Sequence, residues 1–91
     1  MSKSIYKYQL NVAESTTLDI KTNNILSAIE QDNQIMVYVM IDDSLPVTKY
    51  DLRTYGTGFE ILKEDINDYT FLNTVKVDWC IFHVFYKKII E

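Results

Sequence analysis

Apolar and polar side chains alternate with a period of two in several short runs of the chain. From Ile5 to Val12, the residues Tyr6, Tyr8, Leu10 and Val12 share one face, and Lys7, Gln9 and Asn11 the other, the pattern of a half-buried strand. Ala13-Glu14-Ser15 breaks the run, and Thr16 to Lys21 resumes it with Leu18 and Ile20 on one side. Thr22-Asn23-Asn24 reads as a turn, because Asn accepts left-handed backbone angles and bonds its own main chain. Ile25 to Gln31 and Gln34 to Ile41 flank Asp32-Asn33, a two-residue connection of hairpin type. The second arm, Ile35-Met36-Val37-Tyr38-Val39-Met40-Ile41, is apolar on both faces. Such a strand is central, covered on both sides, or covered on one side by another subunit. Pro46 ends that region, since proline has no ladder donor.

Val47 to Tyr55 alternates again, with Thr48, Tyr50, Leu52 and Thr54 opposite Lys49, Asp51, Arg53 and Tyr55. Gly56-Thr57-Gly58 interrupts it. The period then lengthens: Leu62, Ile66 and Tyr69 fall at i, i+4 and i+7, which predicts one short helical segment near 60–68. Thr70 to Val77 and Cys80 to Lys87, joined at Asp78-Trp79, complete the set. The expected fold is all-β, or β-rich α+β: a small antiparallel sandwich or open barrel of about seven strands. The whole chain, 1–91, forms one domain.

Composition supports that expectation. Seven tyrosines, four phenylalanines and one tryptophan favour strands, whereas alanine occurs only at Ala13 and Ala28. The net charge of −4 argues against nucleic acid as the main partner, because counterion release needs a basic face. The lone Cys80 excludes an intrachain disulfide and a cysteine-built zinc site. No apolar run approaches the roughly 20 residues that span a bilayer. A single thiol and no signal-type N-terminus point to the cytoplasm.

Candidate chemistry is sparse. Two glycines around a hydroxyl residue, Gly56-Thr57-Gly58, can turn backbone N–H groups toward an anion or phosphate. The lysine of a P-loop and the GxGxxG spacing are both absent, and the competing reading is a bulge or turn that needs positive φ. His83, the only histidine, shares a face with Ile81 and Phe85; it reads as a hydrogen-bonded core or rim residue, or as a ligand group. A Cys80–His83 dyad fails, since three residues apart on a regular strand face opposite ways. Asp42, Asp43, Glu64, Asp65 and Asp68 read as solvated loop charge. A calcium loop starting at Asp65 would place Lys76 where a bidentate Glu is required. The tyrosine excess suits a groove or an interface, where rings are buried and hydroxyls stay wet. Lys49 and Arg53, with Tyr55 beyond them, form the best cationic surface for such a groove.

Four stretches in order resemble a family of small, mostly phage-encoded domains of unknown function. They are Ile5-Tyr6-Lys7-Tyr8-Gln9-Leu10, Tyr55-Gly56-Thr57-Gly58, Phe71-Leu72-Asn73-Thr74-Val75 and His83-Val84-Phe85. The chain departs from the family pattern at Gln9, usually Pro, at Asn73, usually Gly, and at Asp32-Asn33, commonly Asn-Gly. The resemblance implies a bacteriophage origin and residence in the cytoplasm of an infected bacterium, and it supplies no activity.

The expected function is therefore binding without catalysis and without a cofactor or metal: sequestration of a small anionic host molecule, most concretely a nucleotide-type immune signal, by an anti-defence accessory factor. Lys49 and Arg53 would anchor the anion, Gly56, Thr57 and Gly58 would cradle it, and Tyr50, Tyr55 or Tyr38, with His83, would stack or hydrogen-bond. The alternatives are an inhibitor of a host protein and a structural or assembly component of the virion. A homo-oligomer, most simply a dimer, is expected, because the two-faced strand and the tyrosines ask for more cover than 91 residues supply.

Overall fold

The computed structural model describes residues 2–90. Seven strands and one helical turn follow in order: β1 (Lys3–Leu10), β2 (Ser15–Ile20), β3 (Asn24–Gln31), β4 (Gln34–Asp42), β5 (Thr48–Gly56), α1 (Lys63–Ile66), β6 (Thr70–Val77) and β7 (Cys80–Ile89). They form two antiparallel sheets, a three-stranded one ordered β1-β4-β3 and a four-stranded one ordered β2-β5-β7-β6. The architecture is a small β-sandwich and not a closed barrel. Its shortest extent, 15 Å, is that of two layers packed about 10 Å apart.

The period-two faces become the core. Ile35, Val37 and Val39 of β4 point inward with Leu10 of β1, and Tyr50 and Leu52 of β5 meet them with Val75, Val77, Phe82 and Val84 of β6 and β7. The apolar strand β4 is central in its sheet: its inner face is covered by the four-stranded sheet, and Met36, Tyr38 and Met40 on the outer face stay half-buried.

Side chains tie the sheets together at their margins. At the β1–β2 corner, buried Thr54 accepts from the Ala13 amide at 2.6 Å and donates to the Asn11 carbonyl at 3.1 Å. At the β2–β3 corner, the Tyr50 hydroxyl donates to the Thr22 carbonyl at 3.0 Å. On the opposite margin, Asn73 of β6 bonds both backbone groups of Ala28 on β3, each at 2.8 Å. Both of these strands carry a register shift, between Ile25 and Ser27 on β3 and between Phe71 and Asn73 on β6. Among the described residues no buried side-chain nitrogen or oxygen lacks a partner, as a folded interior requires.

Candidate functional site

The outer face of the four-stranded sheet carries most of the candidate residues. Directly opposed positions on paired strands share a face, so the register places Tyr55 beside His83, Arg53 beside Phe85 and Asp51 beside Lys87. Phe71 on β6 completes the central row. The Phe85 ring packs edge-on against Tyr55 at 6.0 Å and against Phe71 at 5.4 Å, centroid to centroid.

Arg53 is held on three sides. Its Nε donates to an Asp51 carboxylate oxygen at 2.9 Å, its Nη1 donates to the Asp65 carbonyl at 2.6 Å, and its guanidinium lies 4.7 Å from the centre of the Tyr69 ring. Lys87 approaches the same ring at 5.7 Å. The Tyr69 hydroxyl donates to Asp51. Burial, followed by this hydrogen bond and the nearby carboxylate charge, pushes the Tyr69 pKa up to about 12. Arg53 thus fastens the 57–69 connection, with its helical turn α1, onto the sheet.

His83 is bracketed by two hydroxyls. Nε2 sits 2.9 Å from Thr57 Oγ1, and Nδ1 sits 2.9 Å from Thr74 Oγ1. A threonine hydroxyl both donates and accepts, so the ring is satisfied in either neutral tautomer. Thr74 stands where a carboxylate orients the ring of a catalytic histidine. The trio fixes the orientation of the ring. Cys80 takes no part in it.

The Gly56-Thr57-Gly58 turn spends part of its backbone on the chain itself. The Thr57 amide donates to the Ile81 carbonyl and the Phe59 amide to the Gly56 carbonyl, both at 3.0 Å, which removes two donors from any anion cradle. Gly56 lets the Phe59 ring approach closely, since a Cβ there would meet that ring at 2.7 Å unless the exposed Phe59 side chain shifted. Gly58 has φ +89 with open space around it, the left-handed conformation that glycine adopts without steric cost. Phe59 and Trp79 wall a surface cavity of about 290 Å³ beside Thr57 and Cys80.

The fold brings Arg53, Tyr55, Thr57 and His83 together and leaves Lys49 apart. Four residues along a strand separate Lys49 from Arg53, about 13 Å, with Asp51 between them. Lys49 instead lines an open groove of about 630 Å³ at the far end of the sheet, with Asp19 and Lys88. Of the other tyrosines, Tyr69 approaches the Arg53–Tyr55 end of this face, whereas Tyr50 and Tyr38 do not. Tyr50 is a core residue, and Tyr38 lies on the outer face of the other sheet. Sequence patterning missed Asp51, Tyr69, Phe71 and Thr74 as site residues, whereas the adjacent Lys87 and Lys88 offered a local basic patch. The alternation of β7 offered Phe85 as an outward residue, but nothing local linked Tyr69 to Arg53.

Among the described residues, no group of three or more His, Cys, Asp or Glu side chains converges as a metal site would require. No described helix is long and apolar enough to cross a membrane. A family model described as a domain of unknown function (DUF7352) matches residues 1–90. No curated protein and no solved structure matches the chain.

Proposed function

The chain belongs to this family of domains of unknown function, and from that premise we propose that it is a non-catalytic binding module whose ligand is a small anionic molecule carrying an aromatic ring, of nucleotide type. One observation carries the reading: the Arg53 guanidinium, the half-buried Tyr55 ring and His83 lie side by side on the outer sheet face, bordered by the 57–69 connection and backed by Phe85 and Phe71. A guanidinium held by Asp51, Asp65 and Tyr69 is already oriented, so less side-chain entropy is lost when it meets an anion. Exposed aromatic rings add about 1–3 kcal/mol per stacked base. Lys87 contributes a second positive charge nearby, which offsets locally the net −4 of the chain.

In this reading the protein is a phage accessory factor that acts in the bacterial cytoplasm, sequestering a host immune signal stoichiometrically. Calorimetric titration against cyclic dinucleotides and ADP-ribose derivatives tests it. Binding tighter than about 10 μM, weakened at least tenfold by Tyr55→Ala with the fold intact, is expected. No binding across the panel rejects the site. The half-buried Met36, Tyr38 and Met40 on the outer face of the other sheet favour, as the second reading, an inhibitor of a host protein. Such an inhibitor would retain one stoichiometric partner from lysate and ignore the nucleotides.

A further inference from the structure

We infer that the free edge of β1 is a homodimerisation edge, at which two copies pair β1 antiparallel about a twofold axis centred on Tyr6. A two-sheet sandwich has four edges, and three of them are blunted here. β3 and β6 face each other across the Asn73–Ala28 bonds, and each carries a register shift. Bulges of that kind spoil an edge for further pairing. β2 is the shortest strand, six residues, and exposes Asp19. β1 is regular over eight residues, pairs only with β4, and contains neither proline nor an acidic residue.

Its lysines, which would ordinarily guard an edge, are drawn away from it. Lys7 reaches across β4 to donate to Gln31 on β3 at 3.0 Å, and Lys3 leans toward Asp42 of β4 at 3.9 Å. What remains exposed along the rim is uncharged: Ser4 and Gln9 beside Ile5, 57 % exposed, and Tyr6, 56 %. Tyr6 shares the inward face of β1 with Tyr8 and Leu10, as its pairing with Val39 requires, yet it lies beyond the cover of the opposite sheet.

The occupant follows from charge and register. In an antiparallel pair of identical strands, residues of the same face oppose one another only when the axis passes through a residue position. Centred on Tyr6, the pairing matches residues 3–9 with 9–3, setting Tyr6 against Tyr6 of the second copy, Ile5 against Lys7 and Lys3 against Gln9. No like charges meet. Centring on Ile5 opposes Lys3 to Lys7, centring on Lys7 opposes that lysine to itself, and centring on Tyr8 engages only residues 6–10. The Tyr6-centred register therefore pairs the longest stretch without repulsion. The dimer would carry a continuous six-stranded sheet, β3-β4-β1-β1-β4-β3.

Cross-linking tests both the edge and the register. On a Cys80→Ser background, Tyr6→Cys should form a disulfide-linked dimer on mild oxidation, because directly opposed Cα atoms lie about 4.5–5.5 Å apart. Phe71→Cys on the blunted edge β6 and Tyr38→Cys on the outer face of the three-stranded sheet should remain monomeric under the same oxidation. In sedimentation, the unmodified chain should approach twice 10.7 kDa as concentration rises, and Tyr6→Lys should shift it to monomer with an unchanged far-ultraviolet spectrum. A monomer at all concentrations, or cross-linking at position 38 or 71 in place of 6, overturns the inference.

Discussion

Asn73 holds Ala28 by both backbone groups, donating from Nδ2 to the carbonyl and accepting at Oδ1 from the amide. Removing it with Asn73→Ala leaves both groups of Ala28 without these partners beside a buried side chain. The unfolding free energy should fall by about 1–3 kcal/mol, read as a lower urea midpoint at unchanged slope. Tyr69 makes a prediction about pH. Its folded pKa of about 12 lies above the ordinary 10.0, so folding favours the neutral phenol. That contribution is complete below pH 10 and is lost as the pH rises toward 12, where only the unfolded chain has ionised readily. Tyr8 and Tyr50 are also raised, chiefly by burial, so Tyr69→Phe should shallow the alkaline loss of stability without abolishing it. Gly56 and Phe59 should couple. Gly56→Ala drives a methyl group into the Phe59 ring and should cost about 1 kcal/mol, a cost that mostly vanishes on a Phe59→Ala background in a double-mutant cycle.

At the scale of elements, the strands were legible because their two faces differ and polar turn residues separate them. Observed limits fall within about two residues of the alternating runs, and β6 spans Thr70–Val77 as the pattern predicts. The helical period over Leu62, Ile66 and Tyr69 became only the turn Lys63–Ile66, because Tyr69 is drawn instead to Arg53 and Asp51. The β3–β4 connection also behaves as its length suggests. Asp32 and Asn33 both have positive φ, 53 and 63, the conformation of a type I′ hairpin turn, where glycine best suits the second position. Asn33→Gly should therefore raise stability by about 0.5 kcal/mol, seen as a small upward shift in thermal midpoint. Its amide bond to the Glu30 carboxylate at 2.6 Å needs no side chain at 33 and should survive.

At the scale of the whole molecule, the candidate site was only half legible. Alternation assigned Arg53, Tyr55 and His83 to strand faces, but their juxtaposition depends on the β5–β7 register, which joins residues 55 and 83. No local pattern encodes a pairing over that separation. Proximity in sequence also grouped Lys49 with Arg53, although an extended strand carries four residues over about 13 Å. The same separation of sequence neighbours from spatial neighbours governs β1. It precedes β4 in the chain, yet Lys3 pairs with Asp42 and Leu10 with Ile35, so during translation β1 must wait on the order of seconds for its ladder partner. Through that interval Ser4-Ile5-Tyr6-Lys7-Tyr8-Gln9-Leu10 is a nascent strand with neither edge satisfied, rich in β-formers and without proline. Tyr6→Lys, which breaks that run with a charge, should therefore raise the soluble yield while leaving the urea midpoint of the monomer in place.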